Sequence, residues 1–129
     1  MTNNPNEPIY TVANLIEVME CNRIFYNGWV ARGLLKPSIP SKGAGNPSRW
    51  SLNDILAAKI TKLLGESGTD LRTAQNWATV AAKIVGEGKL YVDLINKKPY
   101  YTEGKCPSGL TLVIDTDILR KEIIDKLDI

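Results

Sequence analysis

The stretch Ile24-Phe25-Tyr26-Asn27-Gly28-Trp29-Val30-Ala31-Arg32-Gly33-Leu34-Leu35-Lys36-Pro37 decides how this chain is read. Its first part is a helix rich in aromatic residues. Gly33 stops that helix, because glycine takes positive φ without a Cβ clash, and Pro37 keeps it from resuming. The chain then runs to Ser48-Arg49-Trp50 through a loop holding Gly43, Gly45, Pro40 and Pro47. The loop's charges are the cations Lys42 and Arg49, with no acid between Pro37 and Trp50. A helix is therefore followed at once by a β-loop that carries positive charge.

Working outward, residues 1–8 are polar with two prolines and read as a disordered lead-in. A first helix is expected with Thr11 as N-cap and Val12, Leu15, Ile16 and Val18/Met19 as its apolar face. Glu20-Cys21-Asn22 makes a turn, and Asn22 caps a second helix running to about Arg32. That helix should bury Cys21, Phe25/Tyr26 and Trp29/Val30 and turn Asn22, Arg23, Asn27 and Arg32 outward. Beyond the loop, Ser51-Leu52-Asn53-Asp54 has the spacing of a capping box with Asp in place of Glu. It opens a helix with Leu52, Ile55, Leu56, Ile60, Leu63 and Leu64 on one side, ended by Gly65 and Gly68. Thr69 or Asp70 caps a fourth helix that buries Leu71, Ala74, Trp77/Ala78, Ala81 and Ile84/Val85, closed by Gly86 and Gly88.

From Lys89 the apolar period changes from helical to alternating. Leu90, Val92 and Leu94 point one way and Tyr91, Asp93 and Ile95 the other, the pattern of a strand. Asn96-Lys97-Lys98 turns into a short strand over Pro99–Thr102. A loop spans Gly104–Gly109, a third strand Leu110–Ile114, and a helix Thr116–Leu127 carries Ile118, Leu119, Ile123, Ile124 and Leu127. The fold class expected is α+β, mainly helical: four helices, a small β-hairpin or sheet, and a C-terminal helix. The chain divides into a tail at 1–8, a helical domain at 9–88 and a segment at 89–129 suited to dimerisation or to docking a protein partner.

Composition bounds the function. The chain has 129 residues, a net charge of +2 and a hydrophobic content of 43%, an ordinary globular composition for one domain. The positive excess is localised: residues 9–50 carry Arg23, Arg32, Lys36, Lys42 and Arg49 against Glu17 and Glu20, whereas residues 51–129 are balanced. An anionic partner is expected at that first third. No apolar run reaches membrane-spanning length, and the N-terminus lacks the basic and apolar regions of a signal peptide. Two distant cysteines, Cys21 and Cys106, read as free thiols in a cytoplasmic protein. The chain contains no histidine, which removes the commonest general base and metal ligand. It also lacks a phosphate-cradling glycine motif and a Gly-x-Ser-x-Gly elbow. Asp115 and Asp117 at a strand-to-helix junction are explained by N-capping. No enzyme, cofactor or metal site is expected.

Residues 10–76 resemble the DNA-binding domain of the MerR-like winged-helix family. The resemblance rests on Tyr10-Thr11-Val12 opening the first helix, Trp29 to Pro37 ending the second, and Arg49-Trp50-Ser51-Leu52-Asn53-Asp54-Ile55 leaving the wing. Gly65-Glu66-Ser67-Gly68-Thr69-Asp70-Leu71 is similar to the junction between that family's third and fourth helices. Two features depart from it. Asn27-Gly28 stands where family members often carry Arg and an aromatic residue, and the long dimerising helix is replaced by a hairpin and a terminal helix.

The resemblance implies a second helix in the major groove and a wing gripping phosphates. Asn pairs bidentately with adenine and Arg with guanine, so Asn22, Arg23 and Asn27 become base readers. Lys36, Lys42 and Arg49 become phosphate contacts, and the Thr11 hydroxyl with the free amides behind it a further one. Gly28 inside the helix costs roughly 1 kcal/mol against Ala and fits close approach by another element or a DNA backbone. Plainer readings stand beside these: Arg23 and Arg32 as solvated helix charges, Lys42 as an exposed loop cation, Arg49 stacked on Trp50. Trp29, Trp50 and Trp77 read as core, and Tyr91, Tyr100 and Tyr101 as hairpin packing or a dimer interface.

The expected function is sequence-specific binding of double-stranded DNA by a transcriptional regulator. A homodimer is expected because one short helix reads too few base pairs. The alternative is a protein-interaction module, such as an antitoxin that docks a protein partner through residues 89–129. An architectural DNA protein is a third reading that shares the DNA surface.

Overall fold

A computed structural model describes residues 4–43, 45, 47–83, 89–101 and 110–127. The chain is α+β, with five helices and one three-stranded antiparallel sheet among these residues. Each helix opens on a side chain that takes an amide of its own first turn. Thr11 caps α1 (Val12–Met19), Asn22 caps α2 (Arg23–Ala31), and Ser51 caps α3 (Leu52–Glu66) in a capping box with Asp54. Asp70 caps α4 (Leu71–Ala82) and Asp115 caps α5 (Thr116–Lys126). These caps satisfy donors that a helix start cannot pair internally.

The central element is α3, whose Ile55, Leu56, Ile60 and Leu64 are fully buried. It packs chiefly against α4 and also meets α1 and α5. The sheet has the order β2-β1-β3, with β1 at Lys89–Asp93, β2 at Lys98–Tyr100 and β3 at Thr111–Asp115. Leu90, Val92 and Ile114 from the sheet and Ile123 from α5 belong to the same buried cluster as the helical side chains. The 89–129 segment thus shares its core with residues 9–88.

Two helix ends are sealed from a distance. Arg72 Nη2 donates to the Arg32 carbonyl at 3.0 Å, and Gln75 Nε2 donates to the carbonyls of Gly33 and Leu34, each at 3.0 Å. Arg120 Nη2 donates to the Ala82 carbonyl at 3.1 Å. The exit of α2 is therefore held by α4, and the exit of α4 by α5. Gly33, at φ 72, takes the left-handed conformation that turns the chain out of α2.

Several elements differ from expectation. Helix α3 runs through Gly65 and ends at Ser67 and Gly68; the missing Cβ at Gly65 makes room for Leu71, whose Cδ2 would lie 2.5 Å from it. Strand β1 ends at Asp93. That side chain is buried rather than turned outward, and it accepts the N–H groups of Ile95 and Asn96, an Asx-type turn that stops the strand. Val30 is exposed while Tyr26 and Trp29 form the buried face of α2. In the segment read as a disordered lead-in, Pro5 accepts the Asn53 N–H at 3.0 Å and Asn6 Oδ1 accepts from Asn53 Nδ2 at 2.9 Å. The start of α3 supplies partners that composition does not reveal. The expectations for residues 1–3, Ile84/Val85, Gly86, Gly88, Thr102, the Gly104–Gly109 loop and Cys106 fall outside the described residues.

Candidate nucleic-acid interface

The loop after α2 is closed at its base by backbone pairing. The Ile39 N–H donates to the Arg49 carbonyl at 3.1 Å and the Arg49 N–H returns to Ile39 at 2.8 Å. Tyr10 and Trp50 form a second such bridge, 2.9 Å in both directions. Asp54 braces the first leg: its Oδ2 accepts the Ser38 N–H and the Ser51 N–H, each at 2.9 Å, and the Ser38 hydroxyl. One carboxylate thus finishes the α3 cap and fixes the loop. Lys42 sits exposed beyond this neck, beside Gly43 at φ 102.

Aromatic contacts join this loop to α2. The Arg23 guanidinium lies over the Tyr26 ring, 5.6 Å from its centre, and Tyr26 meets Trp50 edge-on at 6.3 Å. Burial pushes the Tyr26 phenol above its ordinary range, against the opposing pull of Arg23 and Ser48. The first turn of α2 is therefore a neighbour of the loop's returning leg, Ser48 to Trp50. Arg23 and Arg49 come to the same region, and the Tyr10–Trp50 bridge sets Thr11 beside it. Lys36 lies on the opposite leg, on the rim of a cleft of about 350 Å³ shared with Asp54, Gln75 and Lys83.

Hydrogen bonding separates the candidate side chains. Asn22 Oδ1 accepts the Phe25 N–H at 2.8 Å, so one of its two lone pairs serves the α2 cap. The Thr11 hydroxyl accepts the Asn14 N–H at 3.2 Å and donates to Asn14 Oδ1 at 3.1 Å, so it is already used inside the α1 cap. Asn27 is exposed in mid-helix and its side chain has no hydrogen-bond partner among the described residues. A Cβ at Gly28 would meet nothing within 4 Å, so no close approach among the described residues explains this glycine. Ile24, one turn before Gly28 on α2, is 81% exposed.

Among the described residues, the charges on this side have no salt-bridge partner. The three salt bridges found among the described residues use Lys62, Arg120 and Lys126; none involves Arg23, Arg32, Lys36, Lys42 or Arg49. Arg23, Arg32, Lys36 and Lys42 are exposed and Arg49 half-buried. Arg49 makes no ring stack with Trp50; the cation over a ring is Arg23. Elsewhere, burial pushes the half-buried Cys21 thiol up. Among the described residues no group of three or more His, Cys, Asp or Glu could hold a metal ion, and no helix is long and apolar enough to cross a membrane.

The residues that brace the interface, Arg72, Gln75 and Ser38, carry no mark in the sequence. They act across 40, 42 and 16 positions respectively, and a single sequence carries no signal for such pairs. Comparison with protein-family models gives no match, and a search of curated proteins gives none either.

Proposed function

We propose that the chain is a winged helix-turn-helix protein of the MerR-like kind that binds double-stranded DNA in a sequence-specific way and regulates transcription. Helix α2 enters the major groove, the loop from Pro37 to Arg49 serves as the wing on flanking phosphates, and two copies read two half-sites. The supporting observation is the set of five cations without acidic partners among the described residues, with Arg23 over Tyr26, and Tyr26 against Trp50, the neighbour of Arg49 in sequence. Exposed like charges are costly to cluster unless an anion neutralises them, and phosphate does so with release of counterions. Within α2, Arg23 and Asn27 are the base readers. Asn22 keeps its cap, and the amides of the first turn of α1, rather than the Thr11 hydroxyl, face phosphate.

The test separates the two kinds of contact. Arg23→Ala and Asn27→Ala should relax preference at particular base pairs, by about 1–3 kcal/mol each. Lys42→Ala and Arg49→Ala should weaken all duplexes alike and reduce the salt dependence by roughly one counterion unit each. If neither pair changes DNA binding, the assignment is wrong. A protein partner on this face, in place of DNA, is favoured by the exposed Ile24. In that case Ile24→Asp abolishes binding of the partner and the four substitutions above leave it intact.

A further inference from the structure

The two edges of the sheet are built differently. Outward-facing backbone groups can be assigned from the ladder: the Leu94 N–H donates to Leu110 at 3.0 Å, next in register after Asp93 opposite Thr111. Antiparallel hydrogen-bonded pairs alternate, so Leu90, Val92 and Leu94 aim their backbone groups at β3, and Leu110, Leu112 and Ile114 return them. Thr111, Val113 and Asp115 then aim theirs away from the sheet. By the same alternation Lys89, Tyr91 and Asp93 face β2, which leaves Pro99 as the middle residue of the β2 edge that points outward. Proline has no N–H to offer there, and Lys98 precedes it: the β2 edge is closed to another strand.

The β3 edge has no such guard. Its sequence, Thr111-Leu112-Val113-Ile114-Asp115, has strong strand-formers at its centre and neither Pro nor Lys. Among the described residues no chain pairs with its outer side. Exposed apolar side chains collect around it: Leu110 at 54%, Val113 at 51% and Ile118 at 57%. Val113 also ends a row of apolar side chains across the outer face, opposite Tyr91, which is opposite Tyr100.

We infer that β3 pairs with β3 of a second copy, antiparallel about a two-fold axis at Val113, to give one six-stranded sheet. This rests on the two-copy part of the function proposed above. The strand is complementary to itself in that register. Val113 meets Val113, Leu112 meets Ile114, and the Thr111 hydroxyl meets Asp115 Oδ2 on both sides of the axis, Oδ1 being held by the α5 cap. All five residues of β3 are then paired, whereas sliding the register towards Asp115 sets the two carboxylates against each other. The outward backbone groups of Thr111 and Val113 gain partners, and the row from Tyr100 to Val113 continues into its copy. A heterologous strand would satisfy the same backbone groups without this side-chain match.

The experiment uses the whole chain with serines at Cys21 and Cys106. Val113 pairs with itself as a hydrogen-bonded pair, about 5.5 Å between Cα atoms, a separation that suits a disulfide. Val113→Cys should therefore form a covalent dimer on mild oxidation, while Tyr100→Cys on the far edge should not. Light scattering should give twice the chain mass for the unsubstituted protein and one chain mass for Val113→Lys, with unchanged circular dichroism because the position is exposed. A monomeric unsubstituted protein overturns the inference, as does a dimer that survives Val113→Lys and forms no disulfide through Val113→Cys. A monomer that still binds DNA overturns only this interface. A Val113-linked dimer that binds no DNA upholds the interface and overturns the DNA function.

Discussion

Gln75 donates its side-chain amide to the carbonyl of Leu34 at 3.0 Å, across 41 positions of sequence and in a buried setting. The same nitrogen reaches the Gly33 carbonyl, so α4 terminates the chain's exit from α2. Replacing Gln75 with Leu removes the partner of both carbonyls, the Leu34 one buried and the Gly33 one part-buried. The expected cost is about 1–3 kcal/mol of stability, measured by urea unfolding. DNA affinity should fall as well, because the angle of α2 depends on this anchor.

Asp54 gives a second structural prediction. Asp54→Ala removes the acceptor shared by Ser38 and Ser51 and loosens both the loop neck and the start of α3. A stability loss of about 1–3 kcal/mol is expected from the hydrogen bonds that the carboxylate accepts. On the proposed function, in which the loop contacts phosphate and not bases, binding to all duplexes should weaken together with base preference retained.

Gly28 separates folding from function. With open space around it and a helical backbone, Gly28→Ala should stabilise the free protein by roughly 0.5–1 kcal/mol in thermal unfolding. The added methyl faces outward beside Asn27, so DNA binding should weaken at the same time. A variant that is more stable and binds equally well would remove this part of α2 from the interface.

Acid sensitivity arises from Glu20. Its side chain accepts from Lys126 at 3.1 Å, and that bond together with the Lys126 charge holds its carboxyl below the ordinary range. A folded-state value below the unfolded one gives stability that is complete above the unfolded value and lost as pH falls through the folded one. The contribution is small, because the pair is exposed and screened. Lys126→Met should flatten this part of the pH dependence of unfolding and leave neutral-pH DNA binding unchanged.

Cys21 provides a chemical check. Burial raises its thiol, so little thiolate forms at neutral pH. In the Cys106→Ser background, alkylation of Cys21 should be slower than that of free cysteine and should accelerate only at higher pH than free cysteine does, which mass spectrometry can follow.

The starts of the helices were legible because capping is local: Thr11, Asn22, Ser51, Asp70 and Asp115 each act within three residues of themselves. The ends were less so. Gly65 looks like a stop in sequence, yet it serves the approach of Leu71, which local pattern does not contain. Asp93 carries the alternation of an outward residue but is buried by its own turn. For the candidate interface, the sequence located the cations. It did not reveal that Asn22 and Thr11 are occupied by caps, that Arg23 lies over Tyr26, or that Gln75, Arg72 and Asp54 brace the loop and helix from afar. Those relations depend on which helices become neighbours.

The most direct measurement is selection of bound duplexes from a random DNA library by the purified protein at two salt concentrations. The expected result is an enriched motif of two half-sites, about 10 base pairs apart centre to centre, retained at the higher salt. Failure to retain any duplex at the lower salt, or retention without a motif that vanishes at the higher, would contradict sequence-specific binding by α2.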